Sequence, residues 1–493
     1  MSTTEFEDAT LGERIRENPR PAALWALGLL VLVALEFGAL LTGVLDGLAT
    51  IIEFVPSRNP GLSAVNAALD VTRSIPTLLT RDLVPNAGHQ MPDGRWIGTF
   101  PTNVGAESGL EPKHAWLLRL TLIYAYAFAF VGWLWKGYLT YREHYRYADW
   151  TPRDDVVRRF RTHRWGQFGF VVVFMFVTMA IFAPAMGPTT IQKDIHEPYD
   201  HTTQFYDEDA GEVREVNIGT ANLQSASTGG GDKNTGPWQY DQFDRFHPFG
   251  TMPTPGQDLF SFMMAGARIS LFIGLVAMGI AMVLAASFAL LTAYYKGLVD
   301  LMVVVTGDSV MSIPQLLLLI LMSAVFAGHW LSDIYNKGLL LALIFGFTSW
   351  PYLWRSVRGP AFQVSEEEWV DAAKSYGQSA RNTMKKHMFP YIVGYLLIYG
   401  SMSLGGIIIG TSALSFLGLG IDPPTPEWGR AIAAGQSYVA TQSWHISFIP
   451  GFMIVIVVTA FNALGDGIRD AIDPQADTGE GGDELAAAGG GGG

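Results

Sequence analysis

Ten histidines and no cysteine set the first limit on chemistry. Without cysteine there is no disulfide, thiolate metal site or thiol nucleophile, and no two histidines stand at HxxxH or HExxH spacing. A phosphate-cradling G-x-x-x-x-G-K-[ST] loop is also absent, and the dipeptide Gly-Lys never occurs. The chain itself is therefore expected to bind no metal or cofactor and to hydrolyse no nucleotide. The residues whose types and spacing do carry a signal lie elsewhere. One group is ionisable and sits within or beside apolar stretches, where charge is costly and is a functional candidate by default: Glu36, Asp300 and Asp308. The other is a polar segment, "SEEEWVDAAKSYGQSARNTMKKHMFP" at 365–390, lodged between two strongly apolar runs.

That segment reads as a helix, a sharp turn and a second helix. Ser365 and Glu368 have capping-box spacing, so a helix is expected to start at Ser365. Trp369, Ala372, Ala373 and Tyr376 then recur on one face, with Glu367, Asp371 and Lys374 around it. The two alanines leave that face flat enough for another surface to approach closely. Gly377 is suited to the left-handed conformation that ends helices, Gln378 or Ser379 to opening a basic helix, and Pro390 to the first turn of the next apolar helix. On residue types alone, the product is equally an interfacial helix lying on lipid or a knob for a soluble partner.

The elements that must position these residues are helices in a membrane. Of 493 residues, 49% are hydrophobic, only 16% are charged, and 14 are Trp. A spanning helix needs roughly 20 apolar residues. About eight stretches qualify: 22–45, 116–136, 166–187, 266–294, 301–327, 338–354, 391–416 and 446–465. The first is too long, and too acidic in its approach, for a cleaved signal peptide.

Basic residues in short loops mark the cytoplasmic side. Arg142, Arg146, Arg153, Arg158, Arg159, Arg161 and Arg164 crowd into 137–165. With that loop inside, both termini and 365–390 also fall inside, and 46–115 and 188–264 fall outside. The segment 225–237 reads as a flexible loop and the tail 475–493 as disordered. Much of the net charge of −13 lies in 188–264. A solvated acidic surface accounts for it. Adaptation to high salt is the sharper reading, since Lys is scarce beside Arg, and it requires activity to survive a rise from low to molar salt.

Asp371, Ala372, Ala373, Gly377 and Pro390 together resemble the "EAA" loop of permease subunits of ATP-binding cassette importers, with Asp371 in place of Glu. "HPFGT" at 247–251, "GARISL" at 266–271, "LSFLGLGIDPPTPEWG" at 414–429 and "FNALGDGIRDAIDP" at 461–474 narrow the resemblance to the C-type permease of dipeptide, oligopeptide and nickel importers. The chain departs from the pattern at Thr411, where Glu is common, and at Gln257, an Arg position. The spacing from Thr251 to Gly256 is also one residue longer than usual.

The resemblance implies an all-α integral membrane protein with a five-helix permease core at 247–474. An elaboration of about three spans and two external segments, 1–246, would precede it. It implies that Ser365, Glu368, Trp369, Asp371, Ala372, Ala373, Tyr376, Gly377 and Pro390 form the contact with ATPase subunits, which would carry the ATP and magnesium. Asp300, Asp308 and Pro314 match positions of the second core span, and Ser415, Gly418 and Gly420 lie in a turn at the pathway mouth; all six are candidate pathway residues. Trp428 and Trp444 read as membrane-interface anchors.

The implied partners are a second homologous permease, two ATPase subunits, an external solute-binding protein and membrane lipid, with no nucleic acid. The implied place is the plasma membrane, with both termini cytoplasmic. The rival reading is a stand-alone secondary transporter or channel, which offers no use for the polar knob.

Overall fold

The computed structural model describes residues 10–53, 60–101, 109–148, 150–230, 234–326 and 328–472. The tail 475–493 and residues 231–233 of the loop 225–237 lie outside this set. Two compact units emerge: residues 1–151 with 181–264, and residues 152–180 with 265–493.

In the first unit, the helix Pro112–His144 realises the second expected span. The first expected span, 22–45, is not continuous. Helix Pro19–Leu35 ends at Glu36, and a new helix runs Phe37–Glu53. The cause is the carboxylate itself. Glu36 is 2% exposed and accepts hydrogen bonds from the backbone N–H groups of Leu78 and Leu79 at 3.2 and 3.3 Å. A buried carboxylate needs such donors, and a helix broken at Glu36 lets it serve as their acceptor.

The segment 188–264 is built, not merely tethered. A six-residue antiparallel hairpin pairs Thr202–Asp207 with Glu212–Asn217, and a helix, Ile218–Ser225, follows directly. The described part of 225–237 is likewise fixed, contrary to the flexible loop expected. Ser225, Ala226 and Ser227 are buried, and Thr251 Oγ1 donates to the Ser225 carbonyl at 2.7 Å. Small polar residues here satisfy buried backbone groups instead of loosening the chain.

The second unit carries the main apolar core. Ala277, Ala281, Ala285, Ala289 and Ala293, spaced by four on helix Leu259–Tyr295, are each 0% exposed. This stripe without bulky side chains lets neighbouring helices approach closely: a Cβ added to Gly346 would stand 3.0 Å from the Ala277 carbonyl oxygen. Small residues work the same way where helix Arg164–Ile181 meets His445–Ile472. There a Cβ on Gly169 would lie 2.4 Å from the Leu464 nitrogen.

Among the described residues, five helices are long and apolar enough to cross a bilayer: Pro112–His144, Arg164–Ile181, Leu259–Tyr295, Ala380–Phe416 and His445–Ile472. Two bent pairs, Leu11–Glu17 with Pro19–Leu35 and Gly297–Ser312 with Gln315–Val325, would raise the number to seven. Eight spans is thus an approximate count. The expected span 301–327 is the second of these pairs, bent by 79° with Pro314 as N-cap of its second piece. Proline disfavours helical backbone at the residue before it, and Ile313 is accordingly extended.

Candidate functional site

The polar segment begins later than its spacing suggests. Ser365 is the last residue of helix Gly338–Ser365, 1% exposed, and its hydroxyl donates to the Phe362 carbonyl at 2.7 Å. Bonded back into the preceding turn, it cannot cap the next helix. That helix is Glu368–Ser375, with Glu367 at the N-cap and Glu368 as its first residue. The capping-box reading of Ser365 and Glu368 is therefore corrected.

Opposite its free face, the short helix is pinned by one residue that the spacing argument passed over. Val370 is 0% exposed and belongs to the apolar core of the second unit. Burying such a side chain contributes roughly 1.5–3 kcal/mol. Lys374 adds an aromatic contact, its Nζ lying 5.5 Å from the centre of the Tyr294 ring, and it pairs with Asp371 at 3.1 Å. Trp369 and Tyr376 are 49% and 92% exposed, and Ala372 between them is also open, while Ala373 is half-buried. An aromatic, small, aromatic face thus stands out from an anchored helix.

Gly377 ends the helix at φ +78°. The Gln378 N–H reaches the Ala373 carbonyl at 3.0 Å and the Gly377 N–H the Lys374 carbonyl at 2.9 Å, the paired bonds of a Schellman turn. Ser379 then stands at the N-cap position of Ala380–Thr383, its backbone extended. No separate basic helix follows. The chain continues through a wide π-turn, Met384–Met388, into Phe389–Phe416. Pro390 lies in the first turn of that last stretch, but within a single helical run, Ala380–Phe416. The wide turn just before it takes up the hydrogen-bond irregularity that a proline imposes.

Asp300 and Asp308 are paired with arginines of helix Gly338–Ser365. Asp300 takes Arg358 in a two-pronged ion pair and Asp308 takes Arg355, while Lys296 pairs with Glu366 at 3.2 Å. These carboxylates tie the bent pair Gly297–Val325 to the helix that leads into the polar segment.

The turn after Phe416 repeats the Schellman pattern. Gly418 sits at φ +74°, and the Leu419 N–H bonds the Leu414 carbonyl at 2.9 Å. Gly418 is at the surface, but Ser415 is 3% exposed and accepts from the Ile421 N–H at 3.3 Å. Gly420 packs directly on it, since an added Cβ would stand 2.4 Å from the Ser415 hydroxyl. Ser415 and Gly420 thus shape the turn from inside. Trp428, expected at the interface, is 0% exposed, set edge-on to Phe176 with ring centres 5.7 Å apart. Glu427 beside it accepts from the Ser412 hydroxyl at 2.7 Å. Trp444, at 44% exposed, stays open as an anchor requires.

In the first unit, the "HPFGT" stretch closes a buried charge cluster. His247 Nδ1 lies 2.8 Å from Asp258 and Nε2 lies 3.3 Å from Asp241, which also pairs with Arg245 at 2.6 Å. Burial alone would lower the His247 pKa, but the two carboxylates push it up to about 9. Burial alone would likewise raise Asp241, and Arg245 and His247 hold it well below the usual carboxylate range. For Asp194, burial and then the neighbouring Asp258 outweigh the pull of Arg245 and raise it to about 6.

Residues 277–478 match the family model "Binding-protein-dependent transport system inner membrane component", and residues 151–211 match "N-terminal TM domain of oligopeptide transport permease C". A glutathione transport system permease protein of Escherichia coli O6:K15:H31 is 31% identical over 325 residues, 66% of this chain and 91% of the relative. A dipeptide transport system permease protein of Alkalihalophilus pseudofirmus is 26% identical over 330 residues, 67% of this chain and 92% of the relative. A probable D,D-dipeptide transport system permease protein of Escherichia coli K12 is 33% identical over 230 residues, 47% and 74% of the two chains. The span Arg164–Ile181 falls within the N-terminal match, and neither family model reaches residues 1–150.

Proposed function

Because the chain belongs to the C-type permeases of binding-protein-dependent transport systems, we propose that it forms half of the translocation pathway of an ATP-driven importer of peptides or a related small solute. The family is one of transport permeases, multi-pass in the membrane, and not of enzymes. Relatives named for dipeptide and glutathione transport support the peptide class. In this reading the partners are a second homologous permease, two ATPase subunits that carry ATP and magnesium, and an external solute-binding protein. The assembly sits in the plasma membrane with both termini cytoplasmic, and residues 247–474 are its core.

The observation that carries the proposal is the anchored helix Glu368–Ser375, with Val370 buried beneath it and Trp369, Ala372 and Tyr376 open above. An ATPase cleft that grips this face pulls on a body held at both ends. On one side, helix Gly338–Ser365 is tied by Arg355 and Arg358 to Asp308 and Asp300. On the other, the run Ala380–Phe416 enters the membrane without a break. Packed helices move as bodies, so displacement at Tyr376 reaches the apolar core.

The test is copurification of the tagged chain in mild detergent. Recovery of a phosphate-loop ATPase and a second permease, both lost on Ala373→Arg, is the expected result. Recovery of the chain alone, active in transport without ATP after reconstitution, would replace this reading with a secondary transporter.

A further inference from the structure

A cavity of about 300 Å³ lies in the first unit, outside its long apolar helices. It is walled by the stretch 80–88, by 188–194 and by the buried charge cluster around His247. Its volume is at the lower end of the range for small-molecule sites. Neither the coupling helix nor the pathway residues have any part in it.

The wall carries an unusual cation. Arg81 uses one guanidinium nitrogen, Nη2, to hold Asn86 Oδ1 and the Pro188 carbonyl at 2.5 and 2.6 Å. Its Nε and Nη1 have no partner, and it forms no ion pair among the described residues. Of the acids in the wall, Asp258 is held by His247, and Asp194 by Asn222 and the Asp258 N–H, while Asp82 acts on Arg81 through its charge without a direct ion pair among the described residues. Burial draws the Arg81 pKa down only to about 10, so the group stays cationic at neutral pH. Its backbone is left-handed at φ +68°, uncommon for a side chain of this kind, and such strain gathers at ligand sites. A partly buried guanidinium with a free donor edge is the complement of a carboxylate.

The rest of the wall decides what bears that carboxylate. Lys193 is exposed and forms no ion pair among the described residues. Asp82 forms none either, and Asp244, also left-handed at φ +59°, accepts only the Gln90 N–H at 2.9 Å. An inorganic anion would use the two cations and leave both acids opposed to it. A molecule with both charges has a partner of opposite sign for each.

We propose that this cavity binds a small zwitterion, amino acid to dipeptide in size, with its carboxylate on the free edge of Arg81 and its ammonium group against Asp82 and Asp244. The site stands whether or not the importer reading holds, because it requires no other subunit.

Titration calorimetry of the full chain in lipid nanodiscs, without partners, tests it with glycylglycine, glycylglycinamide and N-acetylglycylglycine. Glycylglycine is expected to bind at about a millimolar Kd or tighter, and removal of either charge to weaken it about tenfold or more, as loss of a charged hydrogen bond does. Arg81→Gln should abolish binding. Should that variant fail to fold, Asp82→Asn with Asp244→Asn retains the backbone, since asparagine tolerates the left-handed region. This pair should bring glycylglycine down to the affinity of its acetylated form. Absence of glycylglycine binding to the native chain, or equal binding of the free and acetylated dipeptides, overturns the proposal.

Discussion

Replacing His247 by Gln removes the one ring that bridges two buried carboxylates. His247 is 3% exposed, and its partners Asp241 and Asp258 are 8% and 0% exposed. Deleting it leaves Arg245 as the remaining paired cation of the cluster, and breaking a buried ion pair in this way costs about 3–5 kcal/mol. An independent figure comes from the proton. A pKa raised from 6.5 to about 9 corresponds to roughly 3 kcal/mol at 1.36 kcal/mol per unit.

Because the folded-state pKa lies above the unfolded one, this stabilisation is present in full below pH 6.5 and is lost as pH rises through about 9. Asp241 works in the other direction, since its lowered pKa gives stability that is lost only as pH falls below 3.8. Asp194, raised to about 6, loses its share between 3.8 and 6, below the histidine window. The part of the slope between pH 6.5 and 9 that His247→Gln removes is therefore the signature of His247. The assay is thermal unfolding of the chain in nanodiscs across that range, with amide exchange of residues 239–258 at neutral pH as the local readout. The native protein should lose stability across the window. His247→Gln should start lower, exchange faster in 239–258 and show no such loss. A native protein whose stability is flat from pH 6.5 to 9, or a variant with the native slope, refutes the reasoning.

Gly377→Val should preserve membrane insertion, because nothing lies within 4 Å of an added Cβ. It should nonetheless loosen the turn at Gly377 by about 1–2 kcal/mol through its left-handed backbone, seen as faster amide exchange at 368–379 and, on the proposed function, weaker ATPase recovery. Val370→Asp should release the whole helix Glu368–Ser375 by burying an unpaired charge, and unchanged transport by this variant would count against the anchoring role. Gly429→Ala should fail to fold, since its Cβ would stand 1.9 Å from the Ser412 carbonyl oxygen, and low yield with aggregation on gel filtration is the check. Exchanging Asp300 and Arg358 for one another should restore most of what Asp300→Arg alone loses in thermal stability. The loss should be modest, about 1 kcal/mol or less, because the pair is partly exposed.

Apolar length and charge placement identified this chain as a helical membrane protein, and the motif around Ala372, Ala373 and Gly377 marked its polar knob, because both signals are local. A left-handed glycine and a flat alanine face need only a few neighbouring residues to be recognised. Tertiary structure decided the rest, because the deciding partners are far away in sequence. Glu36 breaks its helix to meet Leu78 and Leu79, 42 and 43 residues on. Ser365 is lost as a cap because the preceding helix claims its hydroxyl. Trp428, expected at the interface on composition alone, is enclosed by Phe176. Arg355 and Arg358 find Asp308 and Asp300 across 47 and 58 residues. A periodicity of 3.6 residues reports which face of a helix is apolar; which charge, ring or carbonyl stands opposite that face is fixed only when the helices pack.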